Sequence, residues 1–337
     1  MYSDFDAIFA VVELSSFDSH VKDMTHDFPF DPTHGYDEAA LRLIDAPPAP
    51  TDFEFFWKET HALAKAIPPR PTRRLIRESS RMKIYEVEFD AWDITHPIRI
   101  GGWMTVPGDG KIASGLVVGH GYGGRTGPEL TPLIAGAAAI YPCARGFNRS
   151  AQPGFPNIAD QHVLHGIHSR ETYIHRGCIV DLWAAAWALQ ELEPATAHWL
   201  CYAGQSFGGG IGAMALPWES TFKRAFLDVP SFGNHPLRLT LPCVGSGESV
   251  RKNGGARHLP VLQYFDAATA AAHMRIPVMV AAALFDPAVP PPGQFAVFNC
   301  LAGEKKLFVR QAAHVEWEGA ELENREVRRL ASKWFVG

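Results

Sequence analysis

Cysteine is scarce in this chain: five residues, at 143, 178, 201, 243 and 300, an odd number with no Cys-x-x-Cys pair. That argues against a disulfide framework or a structural zinc site, and it predicts buried thiols in a reducing compartment. Basic charge is short as well. Lys and Arg number 31 against 36 Asp and Glu, a net charge of −5, and the longest basic runs are pairs such as Arg73-Arg74 and Arg328-Arg329. No concentrated basic face is left for nucleic acid. No apolar run approaches the roughly 20 residues of a membrane span. The opening stretch MYSDFDAIFAVVELSSF lacks a basic start and is interrupted by Glu13, which leads us to expect a cytoplasmic protein without a secretory leader.

What is present is a globular composition, 47% hydrophobic and 20% charged over 337 residues, enough for one large domain or two ordinary ones. The first 75 residues are polar and studded with proline, and read as an N-terminal arm packed on a core. Within it, residues 52–66 (DFEFFWKETHALAKA) predict a helix, with Asp52 as N-cap and Phe53, Phe56, Trp57 and Leu63 on its apolar face. Alternation over 83–92 and 98–106 predicts two antiparallel strands at a sheet edge. From residue 115 short apolar runs (115–119, 137–142, 198–204, 224–230, 276–283, 306–311) alternate with helix candidates at 171–192, 207–216, 291–302 and 319–335. Buried strands alternating with helices predict an α/β fold, a mostly parallel sheet covered on both faces. Residues 231–265, rich in Gly, Pro and Arg, interrupt that rhythm as an insertion above the sheet, so the α/β domain is expected over 76–337.

The run GLVVGHGYGGR (115–125) poses a choice. Gly119-x-Gly121-x-x-Gly124 has the spacing of a dinucleotide-binding turn, but Pro128 and Pro132 forbid an immediate helix, and the next strand leads to Arg145 rather than an acid. Arg145 alone leaves a 2′-phosphate conceivable. The alternative is an oxyanion loop, and a second stretch supports it. In HWLCYAGQSFGGGIGAMAL (198–216) an apolar strand runs into Gly204-Gln205-Ser206-Phe207-Gly208 and then a small-residue helix. That is the nucleophile elbow, in which the flanking positions must be Gly because the strained Ser leaves no room for a neighbouring Cβ.

An elbow calls for an acid and then a histidine further along the chain. Asp286 follows the strand IPVMVAAALF, and His314 follows KLFVRQAA, so Ser206, Asp286 and His314 are the expected catalytic residues. Glu316 and Glu318 are alternative acids, but neither precedes the histidine or ends a strand. The N–H groups of Tyr122 and Phe207 are the expected oxyanion donors. His162, His165 and His168 could ligate a metal but lack an acidic shell, so neither metal nor organic cofactor is expected.

These segments, taken in order, resemble the acetyl xylan esterase and cephalosporin C deacetylase family of carbohydrate esterases, within the α/β-hydrolase superfamily. The motifs are FEFFWKET, GGWMTVP, GHGYGGR, ARGFNRS, GQSFGGG, FLDVPSF, YFDAATAA, DPAVPPP and AAHVEW. The resemblance implies the same three catalytic residues and the same two donors, with Tyr122 and Pro230 walling a small acyl pocket. It also implies a small ester substrate such as an acetylated sugar, and a homo-oligomer, usually a hexamer. The chain departs from the family in three places. Phe147 stands where an Arg-Gly-Gln motif has its glutamine, Phe207 replaces the glutamine after the nucleophile, and Val315 replaces the glutamate after the histidine. The expected activity is a serine esterase on short acyl esters. An amidase or peptidase, with Arg145 or an acid of 231–265 receiving a charged peptide end, and a catalytically silent scaffold are the competing readings.

Overall fold

The computed structural model describes residues 24–336. The first 23 residues of the expected arm lie outside them. The described chain builds a nine-stranded sheet: β1 (Thr72–Glu78), β2 (Met82–Ala91), β3 (Ile98–Pro107), β4 (Ser114–Gly119), β5 (Ala137–Pro142), β6 (Leu200–Gln205), β7 (Phe222–Asp228), β8 (Val278–Phe285) and β9 (Lys305–Ala312). Their order across the sheet is β1-β2-β3-β5-β4-β6-β7-β8-β9. β1, β2, β3 and β5 pair antiparallel, and every pair from β5 to β9 is parallel. The longer helices are α1 (Phe53–Lys65), α2 (Ile174–Leu192), α3 (Phe207–Ala215), α4 (Pro291–Cys300) and α5 (Ala320–Val336).

Why the central strands read as continuous apolar runs is plain from their burial. Every residue of β4, β5 and β8 is buried, because helices cover both faces. Alternate residues divide between two cores. Val117, Tyr202, Leu227 and Val280 pack with α1 to α4 in one cluster. Leu116, Cys201, Phe226 and Met279 pack against Val327, Ala331 and Phe335 of α5 in the other. α2 is buried nearly all round, which suits a helix sandwiched between the sheet and α1.

Two expectations need correction. β1 was not anticipated, and it places residue 75 inside a strand of the sheet rather than at the end of an arm. All seven of its residues are exposed, so its charged TRRLIRE sequence carries no burial pattern, and backbone pairing to β2 holds it in place. Its four charges suit an open sheet edge, where they discourage pairing with another chain. Asp52 stands at the N-cap of α1, its carbonyl accepting from Phe56 N–H at 2.9 Å, but its side chain makes no capping hydrogen bond. Its carboxylate instead accepts from Arg170 at 2.7 Å and from the Tyr264 hydroxyl. Together with Trp57 Nε1 donating to the Tyr264 carbonyl at 2.9 Å, this ties α1 to the end of the 231–265 stretch. That stretch carries short helices at His235–Arg238, Ser246–Lys252 and Leu259–Leu262. It meets the loop after β8 where Val244 N–H donates to the Pro287 carbonyl at 2.8 Å.

Candidate active site

Ser206 stands on the turn between β6 and α3 with φ 53° and ψ −113°. A non-glycine residue at positive φ stores roughly 1–3 kcal/mol and persists only when its surroundings hold it. Here they do. Ser206 N–H donates to the Asp228 carbonyl at 2.8 Å, and its own carbonyl accepts from Gly210 at 3.0 Å and Ser231 at 3.1 Å. The flanking glycines are needed for space. A Cβ on Gly204 would meet the Gly208 carbonyl oxygen at 2.6 Å, and one on Gly208 would meet the Gly119 carbonyl carbon at 2.7 Å. The Tyr202 hydroxyl of β6 donates to the Gly208 carbonyl at 2.6 Å, bracing the turn from beneath.

The three residues expected to act together are brought together. His314 Nδ1 donates to Asp286 Oδ2 at 2.8 Å, with Oδ1 at 3.0 Å, and His314 Nε2 faces Ser206 Oγ at 3.1 Å. A carboxylate only accepts, so Nδ1 carries the proton and the bare Nε2 accepts from the serine hydroxyl. Asp286 is fully buried. Its Oδ1 accepts from Ala288 and Val289 N–H at 2.9 Å each, and its Oδ2 accepts from Gln294 Nε2 at 2.8 Å. Burial opposes charge on His314, but the attraction and hydrogen bond of Asp286, with Asp228 nearby, outweigh it and hold the imidazole above its ordinary pKa. Glu316 and Glu318, the alternative acids, point into solvent.

The two expected donors lie on segments that are tied together. α3 begins at Phe207, so that N–H has no acceptor within its own helix, and the positive end of the helix dipole lies there. Among the described residues no backbone carbonyl takes the N–H of Phe207 or of Tyr122. Gly208 N–H donates to the His120 carbonyl at 2.9 Å and so ties the loop after β4 to α3. His120 holds that loop as a neutral ring. Its Nδ1–H donates to the Gly121 carbonyl at 2.6 Å, its Nε2 accepts from Ala144 N–H at 2.9 Å, and burial pushes its pKa down to about 4. The Tyr122 ring stacks on Phe207 with centroids 4.1 Å apart. Pro230 is buried behind α3, its Cα 3.0 Å from where a Gly209 Cβ would be.

Arg145 does not join this group. It is buried with its guanidinium spent on Asp181 at 2.8 Å, Asp93 at 2.7 Å and the Trp92 carbonyl at 3.0 Å, so it fastens α2 to the β2–β3 connection. The three spaced histidines diverge. His162 binds Tyr122, His165 packs on Phe155, and His168 packs on His258. Several neighbours were not foreseen. Gln294 binds Asp286 from eight residues downstream, and Asp228 pairs with Arg310 at 3.2 Å beside Ser206. Residues 122–136 form no helix, and between them and α5 lies a cleft of about 480 Å³ lined by Gly121, Arg125, Gln205, Asp228, Arg310 and Arg328.

A parallel sheet with this strand crossover, carrying a serine on the sharp turn after its central strand and an acid and a histidine on later loops, defines an α/β-hydrolase. The profile of the acetyl xylan esterase (AXE1) family matches residues 42–331. The chain belongs to that family and is a carboxylic ester hydrolase. Among solved structures, the acetyl xylan esterase of Paenibacillus sp. R4 is 23% identical, with a TM-score of 0.75 over 89% of this chain and 100% of that one. Acetyl xylan esterase 1 of Thermoanaerobacterium sp. JW/SL YS485 is 19% identical, with a TM-score of 0.77 over 89% of this chain and 99% of that one. The acylaminoacyl peptidase of Pyrococcus horikoshii shares the fold at 15% identity, with a TM-score of 0.56 over 78% of this chain and 49% of that one.

Proposed function

We propose that the chain hydrolyses short-chain, acetyl-type carboxylic esters with Ser206, His314 and Asp286 as its catalytic triad. The supporting observation is the continuous hydrogen-bond chain from Ser206 Oγ through both nitrogens of His314 to Asp286, at 3.1 Å and 2.8 Å. Ser206 Oγ attacks the ester carbonyl carbon while His314 Nε2 takes its proton, and the charge now on the carbonyl oxygen is met by the Tyr122 and Phe207 N–H groups. The tetrahedral species collapses, and the alcohol leaves with the proton from His314. Water then attacks the acyl-serine, again giving its proton to His314, and the carboxylic acid departs as Ser206 recovers its hydroxyl. Asp286 holds the imidazole in the tautomer that starts this sequence.

Phe207, with Tyr122 stacked on it at 4.1 Å, and the buried Pro230 favour a short acyl chain. The ion pairs of Arg145, and Glu248 held by Arg251 at 2.6 Å, leave neither free to receive a charged peptide end, which favours ester over peptide. Family resemblance extends the proposal to a homo-oligomer and to acetylated sugars as substrates. A fluorophosphonate probe followed by peptide mass spectrometry tests the triad. Labelling at Ser206 that is lost in His314→Ala supports it, and an unlabelled folded protein refutes it.

A further inference from the structure

His314 stands just past the end of β9, and β9 is the last strand of the sheet, paired on one side only. That pairing to β8 runs as far as Ala312, after which Ala313 N–H donates to the Phe285 carbonyl at 2.9 Å. An edge strand presents a row of unpaired N–H and C=O groups on its open side. Position matters at this end, because the next residues carry the imidazole that meets Ser206 and Asp286. His314 itself has φ 53°, a strained conformation that persists only where its surroundings hold it. β9 accordingly passes from exposed residues at Lys305 and Lys306 to buried ones at Arg310, Gln311 and Ala312.

Side chains of α5 close the open side. Glu323 Oε1 accepts from the Gln311 N–H at 2.6 Å, so a carboxylate stands where a further strand would pair. Glu323 Oε2 faces Arg310 Nε at 3.4 Å. Arg310 is 5% exposed and reaches in two more directions. Its Nη2 donates to Asn324 Oδ1 on α5, and its Nη1 donates to Asp228 Oδ1 at 3.2 Å. Asp228 ends β7, so the guanidinium reaches across β8. The register sets Asp228 beside Ala281 and Arg310 beside Ala283, and these short side chains leave it room.

Asp228 leads directly to Ser206. Its backbone carbonyl accepts the Ser206 N–H at 2.8 Å. One guanidinium therefore joins the strand that runs into His314, the residue that anchors Ser206, and the helix that closes the sheet edge. Two carboxylates share it. Burial pushes both carboxyls up, Glu323 to about 7, against the pull of the Arg310 charge. Without Arg310 both acids would lose this counter-charge, and the tie from β9 across to Asp228 would be gone.

We infer that Arg310 is a positioning residue for His314, clamping the end of β9 to Asp228 and α5 and so fixing the imidazole against Ser206. It acts only through the residues it ties together, and the inference rests on the proposed triad. Its loss should therefore be felt in the chemical step rather than in substrate binding, since displacing a reacting group by about 1 Å can cost about 100-fold in rate. The test is hydrolysis of p-nitrophenyl acetate by the wild type, Arg310→Met and Arg310→Lys, with Glu219→Ala as the comparison. Glu219 is a buried carboxylate bonded to His61, Trp187 and Thr221 at the opposite end of β7.

The expected result is a fall of about 10- to 100-fold in kcat for folded Arg310→Met, with KM within about twofold and partial recovery in Arg310→Lys. Glu219→Ala should lose Tm as Arg310→Met does, but keep kcat. An unchanged kcat in Arg310→Met, or an equal loss in Glu219→Ala, would overturn the inference and leave Arg310 a residue of stability alone. Should Arg310→Met fail to fold, Glu323→Ala and Glu323→Gln carry the test. The amide keeps an acceptor for the Gln311 N–H, so kcat should fall in the first and recover in the second, and equal values would overturn the clamp. NMR of the His314 ring, assigned by its absence in His314→Gln, keeps this reading apart from the esterase reading. Ring signals displaced or doubled in Arg310→Met and restored in Arg310→Lys support the clamp even if no ester is turned over. Signals unmoved by Arg310→Met count against it even if esters are.

Discussion

The Gly208 amide donates to the His120 carbonyl at 2.9 Å, so the helix that follows Ser206 and the loop after β4 are one unit. In Gly208→Ala the new Cβ would lie 2.7 Å from the Gly119 carbonyl carbon and 2.9 Å from the His120 oxygen. Backbone must move there, since no flexible side chain can yield. We expect a stability loss of about 1–3 kcal/mol by urea denaturation, and a larger effect on kcat/KM, about 10- to 1000-fold, because both proposed oxyanion donors shift.

The pH dependence follows from His314. As the proposed base it must be neutral, so kcat/KM should rise with pH through its pKa and flatten above it. That pKa lies above the ordinary histidine value because Asp286 outweighs burial. In Asp286→Asn the favourable charge is gone, so the rising limb should move to lower pH while the plateau drops. A limb that stays in place in Asp286→Asn would mean another group controls it.

The Tyr122 hydroxyl has a role separate from its amide. It bridges His162 and His175, both neutral because burial lowers their pKa values, that of His162 to about 4. Tyr122→Phe leaves a buried acceptor and a buried donor unpaired, which should cost about 1–3 kcal/mol in a chemical denaturation curve. Because the backbone N–H is retained, kcat for the folded variant should fall by less than about tenfold.

Arg145 gives a contrasting prediction. Removing Asp181 leaves a buried guanidinium with only Asp93 at 2.7 Å and a carbonyl for partners. Breaking a buried pair in this way typically costs about 3–5 kcal/mol. Asp181→Ala should therefore lower the urea midpoint sharply while KM for p-nitrophenyl acetate in the folded enzyme stays near that of the wild type. A selective rise in KM would return Arg145 to the substrate pocket.

Much of this was legible in residue order, and the reason differs by element. β4, β5, β6 and β8 read as apolar runs because helices bury both of their faces, and α2 to α5 were visible between them. The elbow was legible because a strained serine demands glycine on both sides. The acid and the histidine followed from their places at strand ends. β1 was not legible, since fully exposed residues leave no burial periodicity. Asp52 looked like a cap because it precedes a helix, but Arg170 and Tyr264, more than 100 positions away, compete for its carboxylate. Asp228, which pairs with Arg310, and the His162–Tyr122–His175 bridge share that property. Each joins segments far apart in sequence, and no local pattern marks such a partner.

The central claim is that Ser206 is the nucleophile of a short-acyl esterase. The most direct measurement is hydrolysis of p-nitrophenyl acetate, butyrate and octanoate by the wild type and by Ser206→Ala at matched folded concentration. The account predicts activity highest on acetate, falling with acyl length, and reduced by about 10⁴-fold or more in the variant. Equal rates in the two proteins would contradict it.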